Sequence, residues 1–108
     1  MTAIHIKFPA LTLKAGPRAF ARIREQGLSA ADVGTLPGAA GGPKALGIQG
    51  LDLALFGEWL PAAPRERSLI GASVGSWRFA SACLPDAAEG IRRLGRLYTE
   101  QDFNKGVT

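Results

Sequence analysis

Ile4, Ile6 and Phe8 alternate with His5 and Lys7, a period of two that predicts a short strand with one polar face. Pro17 stands where a helix can begin and Gly27 where it can end, with Phe20 and Ile23 on one side between them. Ser29 and Asp32 mark a loop or a single turn, and Val33 to Leu36 reads as a weak strand closed by Pro37. Gly38-Ala39-Ala40-Gly41-Gly42-Pro43 is too rich in glycine for either regular structure. From Lys44 to Leu60 the pattern turns helical. Ile48, Leu51, Leu55 and Trp59 share one face and Leu46, Leu53, Phe56 and Leu60 another, so this helix is expected to be covered on most of its circumference. Gly47 and Gly50 within it each cost roughly 1 kcal/mol against alanine, which predicts close packing on a neighbour.

After the proline-bounded loop Pro61 to Glu66, Ser68, Leu69 and Ile70 form a short apolar strand that runs into Gly71-Ala72-Ser73-Val74-Gly75. A helix is expected to follow to about Cys83, halted by Pro85. Asp86 with Glu89 three residues on is a capping box, opening a helix with Ile91, Leu94, Leu97 and Tyr98 inward. The polar stretch from Asp102 to Thr108 reads as a frayed tail. Strands alternating with helices predict an α/β fold, a short parallel sheet flanked by helices.

Composition narrows the picture little: 46% hydrophobic and 20% charged residues are ordinary for a folded chain of 108 residues. Charge placement matters more. Residues 1–26 carry Lys7, Lys14, Arg18, Arg22 and Arg24 against Glu25 alone, which accounts for the whole net charge of +4. A basic amino-terminal segment over 1–31 is thus set off from the rest, either as a solvated helix face or as a surface for anionic membrane. Phe20 is the one aromatic among its helical basic residues, so nucleic acid is not an expected partner. Cys83 is the single cysteine, which rules out an internal disulfide and fits a reducing cytoplasm; it reads as a small buried hydrophobe. His5 and Lys7 interrupt what would be a signal peptide's apolar core, and no apolar run approaches the ~20 residues that cross a bilayer.

The chemistry is concentrated in two glycine turns. Gly71-Ala72-Ser73-Val74-Gly75 matches G-x-S-x-G, in which a serine rides a tight strand-to-helix turn and the residues two away must be small for the chain to fold beneath it. Ser73 is the candidate nucleophile, and the Val74 N–H lies at a helix amino terminus where negative charge is favoured. Gly41-Gly42-Pro43-Lys44 is the second turn. Adjacent glycines let an oxyanion approach the main chain; Pro43 has no N–H, so donors come from Gly41, Gly42 or Lys44. A nucleotide-binding loop fails here, because it needs glycine before its lysine and serine or threonine after, where Pro43 and Ala45 stand. An idle turn remains the other reading of this cluster, as a tight turn with an inert serine is of Gly71 to Gly75.

Gly41-Gly42-Pro43-Lys44-Ala45 resembles the G-G-x-[RK]-G oxyanion motif of the patatin-like phospholipases, with Ala45 in place of the last glycine. The stretch Gly71 to Gly75 is similar to that family's G-x-S-x-G, and the phrases 50–60 and 75–80 look like its bacterial branch. The resemblance covers about residues 32–101. It implies a partial patatin-like three-layer α/β sandwich and a serine–aspartate dyad that cleaves acyl esters of lipids, with no metal and no cofactor. The family's aspartate sits in D-G-[GA] downstream of the serine. Here the aspartates after Ser73 are Asp86 and Asp102, followed by Ala87 and Phe103, so the chain reads as a truncated hydrolase without its catalytic aspartate.

The remaining singled-out residues have structural readings. His5 is expected to be an exposed strand histidine, Asp86 a helix cap, and Asp32 and Asp52 carry no assigned role. Trp59 and Trp77 read as core or lid residues, and Arg78 as a surface or helix-pairing residue rather than a lipid head-group ligand. A parallel sheet of at most three strands would leave open edges, so aggregation, self-association or a partner carrying the remaining strands is expected. The alternative reading of the whole is a non-catalytic membrane-surface or protein-binding module that docks through its basic amino-terminal helix.

Overall fold

The computed structural model describes residues 2–5 and 11–100. Two strands, β1 (Thr2–His5) and β2 (Thr12–Ala15), pair antiparallel with Thr2 opposite Ala15 and His5 opposite Thr12. The helix α1 (Pro17–Gln26) follows directly. Pro17 stands in its first turn, where a missing N–H costs nothing, and Gly27 closes it at φ 75°. Phe20 and Ile23 are half-buried, but α1 has no buried residue. The expected polar and apolar positions at Ile6, Lys7 and Phe8, and the tail from Asp102, lie outside the described residues.

The first strand therefore does not join a parallel sheet. That sheet has two strands, β3 (Thr35–Gly38) and β4 (Ser68–Gly71), in register Thr35 with Ser68 and Gly38 with Gly71. The protein is mixed α/β, with a short parallel pair and helices. β3 begins two residues later than the pattern at Val33 predicts and carries Pro37 inside it. Ser68 N–H donates to the Gly34 carbonyl at 2.9 Å and Ala72 N–H to the Gly38 carbonyl at 2.9 Å. Every second residue of β3 from Gly34 thus faces β4, and the Pro37 nitrogen points to the free edge, where no ladder bond is lost.

The predicted helix from Lys44 to Leu60 is a continuous winding of changing pitch. A 3₁₀ stretch over Gly42–Ile48 leads into α2 (Gln49–Ala54), a π turn over Leu55–Trp59 and a final 3₁₀ turn over Leu60–Ala62. Leu60 N–H reaches the Leu55 carbonyl, and Pro61, without an N–H, sits in the last turn, which closes as Ala63 N–H reaches the Leu60 carbonyl. Gly47 and Gly50 do not pack on a neighbour. A Cβ at either would meet nothing within 4 Å, so this part of the winding is exposed and not enclosed as its pattern suggests.

Two helices complete the unit, α3 (Val74–Ala82) and α4 (Ala87–Thr99). Asp86 caps α4 by accepting the Glu89 N–H at 3.0 Å, but the box is half made. The Glu89 carboxylate accepts from Arg96 at 2.9 Å instead of turning back to the cap. Ala30, Leu60, Val74, Phe79 and Ile91 are the buried apolar residues among those described, with the Phe56 ring edge-on to Phe79 at 5.9 Å. Fully burying a leucine, valine, phenylalanine or isoleucine side chain contributes about 1.5–3 kcal/mol. Leu94 and Tyr98 turn partly inward as expected. Leu97 does not: it is 60% exposed, because it lies at the border of α4's inner face. Cys83 is likewise exposed, since α3 ends before it and the chain turns outward there. Among the described residues, no helix is long and apolar enough to cross a membrane.

Candidate active site

The elbow follows from small residues placed where larger ones would collide. A Cβ on Gly71 would run into the backbone nitrogen of Ser76 and come within 2.5 Å of the Gly75 carbonyl carbon. A Cβ on Gly75 would run into the Gly38 carbonyl oxygen and lie 3.1 Å from that of Ala39. These two glycines let the strand end, the helix start and the end of β3 share one small volume. Gly38 is similarly required, because a Cβ there would sit 2.7 Å from the Phe79 ring.

Ser73 takes up the bend. Its φ of 53° and ψ of −121° make it the sole non-glycine residue with positive φ among the described residues. Such a conformation costs on the order of 1–3 kcal/mol and persists only where surrounding packing imposes it. The Ser73 side chain is exposed and has no hydrogen-bond partner among the described residues. Ser76, at the same turn, donates its hydroxyl to the Gly71 carbonyl at 2.7 Å and so tightens the bend.

The amides around the elbow divide into used and free. Gly75 N–H donates to Ala72 at 3.0 Å and Ser76 N–H to Ser73 at 2.9 Å, while the Val74 N–H has no backbone acceptor among the described residues. In the other turn, Lys44 N–H donates to the Gly41 carbonyl at 3.2 Å and is spent there. The N–H groups of Gly41 and Gly42 have no backbone acceptor among the described residues. Gly42, at φ 54°, uses a conformation open to glycine at little cost. Gly42 and Val74 line one crevice of about 20 Å³ together with Leu46, Leu94 and Tyr98, room for a water and little more. Gly41 and Lys44 stand exposed beside it.

Asp52 and Arg78 also line this crevice. Their contact is a two-pronged ion pair, Arg78 Nε to Oδ2 at 2.8 Å and Nη2 to Oδ1 at 2.7 Å. Asp52 is only 3% exposed. The hydrogen bonds that Arg78 donates to Asp52 raise its pKa above the usual value, against the opposing effect of burial. The pair ties α2 to α3 and so holds the glycine crossover against the elbow. Arg78 is a helix-pairing residue. Asp52 is the participant the sequence left without a role, although a lone aspartate in an otherwise apolar stretch is a signal for a buried partner.

Trp77, one turn past Ser73, is 57% exposed and tilts against Tyr98 with ring centroids 6.4 Å apart. Trp59 is half-buried. Asp86 is occupied as a cap, and Asp32 in the turn Ala30–Asp32 accepts from Ser29 N–H and Arg22, both at 2.9 Å. No group of three histidine, cysteine or acidic side chains is arranged to hold a metal among the described residues. Comparison with known protein families, characterised proteins and solved structures finds no match to this chain.

Proposed function

We propose that Ser73 is the nucleophile of a serine acyl hydrolase acting on lipid esters, carried on part of a patatin-like three-layer sandwich. One observation carries the reading: a serine with positive φ between β4 and α3, next to the unengaged N–H of Val74. The hydroxyl would attack an ester carbonyl, and the oxyanion would be held by Val74 N–H with Gly41 or Gly42. Its collapse would break the ester C–O bond, releasing the alcohol and leaving the acyl group on Ser73. Each such donor is worth about 2.7–4 kcal/mol in a transition state. Trp77, four residues past Ser73 on the same helical face, offers exposed apolar surface for an acyl chain.

The proton of Ser73 needs an acceptor, and no described side chain supplies one. Without a base a serine hydroxyl is a poor nucleophile at neutral pH. The reading therefore requires an aspartate brought to Ser73 by residues outside those described. The chain by itself is expected to react once with an activated acyl ester, such as p-nitrophenyl butyrate, and to release the acyl group slowly. Intact-mass and peptide analysis should find one butyryl group on Ser73 and none in Ser73→Ala. Modification confined to lysines, equal in both proteins, would defeat the reading. Rapid turnover lost in Ser73→Ala would defeat the claim that a base is missing.

The second reading, a non-catalytic module on anionic membrane, draws on α1, which has no buried residue and leaves Arg18 and Arg24 exposed. Sedimentation with anionic vesicles that fades as salt rises, together with an unreactive Ser73, would favour it.

A further inference from the structure

We propose that the free edge of β4 is a self-pairing surface, on which β4 of a second copy of this chain docks antiparallel. The two edges of the parallel pair differ. On β3 the outward-facing residues are Thr35 and Pro37, and Pro37 has no N–H to give. On β4 the bonds from Ser68 and Ala72 to β3 leave Leu69 and Gly71 facing outward. By that alternation the N–H and carbonyl of Leu69 and the N–H of Gly71 point away from β3, and none of them meets a backbone partner outside the β3–β4 ladder among the described residues. Beside this edge lies an open cavity of about 330 Å³, lined by Leu69 together with Phe56, Leu60, Pro61, Pro64, Arg65 and Arg67.

The cavity and the open amides specify one another's occupant. In an antiparallel pair centred on Leu69, each copy's Leu69 donates its N–H to the other's carbonyl, and each Gly71 N–H reaches the other's Arg67 carbonyl. Directly opposed residues project to the same face, so the second copy's Leu69 enters the cavity that Leu69 lines. Arg67 comes opposite Gly71, which has no side chain to clash. Arg67 itself is tied down by bonds to the carbonyls of Ala30, Val33 and Ala63 at 2.7–2.9 Å and does not guard the edge. On the other face Ile70, 62% exposed, gains a neighbour in the second copy's Ser68. One two-fold operation thus closes both copies' open edges, as an isologous interface requires.

Sedimentation equilibrium over a range of concentrations tests this, read together with hydrogen exchange at the Leu69 amide. The expected result is a monomer–dimer equilibrium in which Leu69 exchange slows at least tenfold as dimer forms. Leu69→Pro removes the outward N–H without breaking the β3 ladder and should abolish the dimer, whereas Thr35→Lys on the opposite edge should leave it intact. A wild-type chain that stays monomeric throughout would overturn the proposal. So would a dimer in which Leu69 exchanges at the monomer rate, a result that needs no variant to fold.

Discussion

The hairpin with α1 and the elbow unit from Gly34 to Thr99 are built on opposite terms. In α1 nothing is buried, and its tie to later residues is the exposed Arg22–Asp32 pair. Exposed pairs of this kind contribute little. The elbow unit concentrates its buried side chains, its enclosed ion pair and its forced glycines around Ser73. Packing is dense where the backbone is strained, because a positive φ at a serine is held by neighbours that leave no other path.

Substitutions graded by region sharpen that contrast. The largest effect is expected at Gly75: Gly75→Val puts side-chain carbon into the Gly38 carbonyl and should remove about 4 kcal/mol or more of stability. A urea melt with a midpoint near that of wild type would break the account of the elbow. Next is Arg78→Met, which strands the Asp52 carboxylate under cover and should cost about 3–5 kcal/mol. The double variant Asp52→Leu with Arg78→Met should recover most of this, and a cycle showing no recovery would refute the pairing. Asp86→Ala removes the cap from the Glu89 N–H and should cost about 1 kcal/mol.

The smallest effects belong to the amino-terminal side. Arg22→Ala should leave the melting midpoint unchanged within error. The Asp32 carboxyl is held below its usual value, first by the Ser29 N–H and further by Arg22. Its contribution is complete above the unfolded carboxyl's value and is lost as pH falls through the lower folded one. Amide shifts of Ser29 and Ala31 should therefore titrate below the ordinary aspartate range. Titration of those amides at or above that range would contradict the turn's geometry.

Much of the elbow unit was legible because its signals are short and local. Gly71, Ser73 and Gly75 announce a strand-to-helix turn, and Pro17, Gly27, Pro85 and Asp86 punctuate helices where they occur. Long-range pairing was not legible. Leu11 and Leu13 alternate with Thr12 and Lys14 as a strand should, yet nothing local says that this segment pairs with β1 and takes it out of the parallel sheet. Pro37 argued against a strand that tolerates it, since its nitrogen faces outward. The turn-by-turn changes of pitch from Gly42 to Ala62 leave an apolar helix pattern intact while undoing its faces, so Gly47 and Gly50 meet nothing. The partner of Asp52 was hidden for a related reason, since it depends on where α3 returns beside α2, whereas the Lys44 N–H is spent locally on the Gly41 carbonyl.

Site-resolved labelling with a fluorophosphonate tests the elbow most directly, because the reagent needs both the exposed Ser73 hydroxyl and an unengaged amide such as that of the adjoining Val74. The account predicts phosphonylation of Ser73 well ahead of the exposed Ser29, Ser68 and Ser76, slowed when Gly42→Ala strains the neighbouring crossover. Equal, sluggish reaction at all four serines would contradict it.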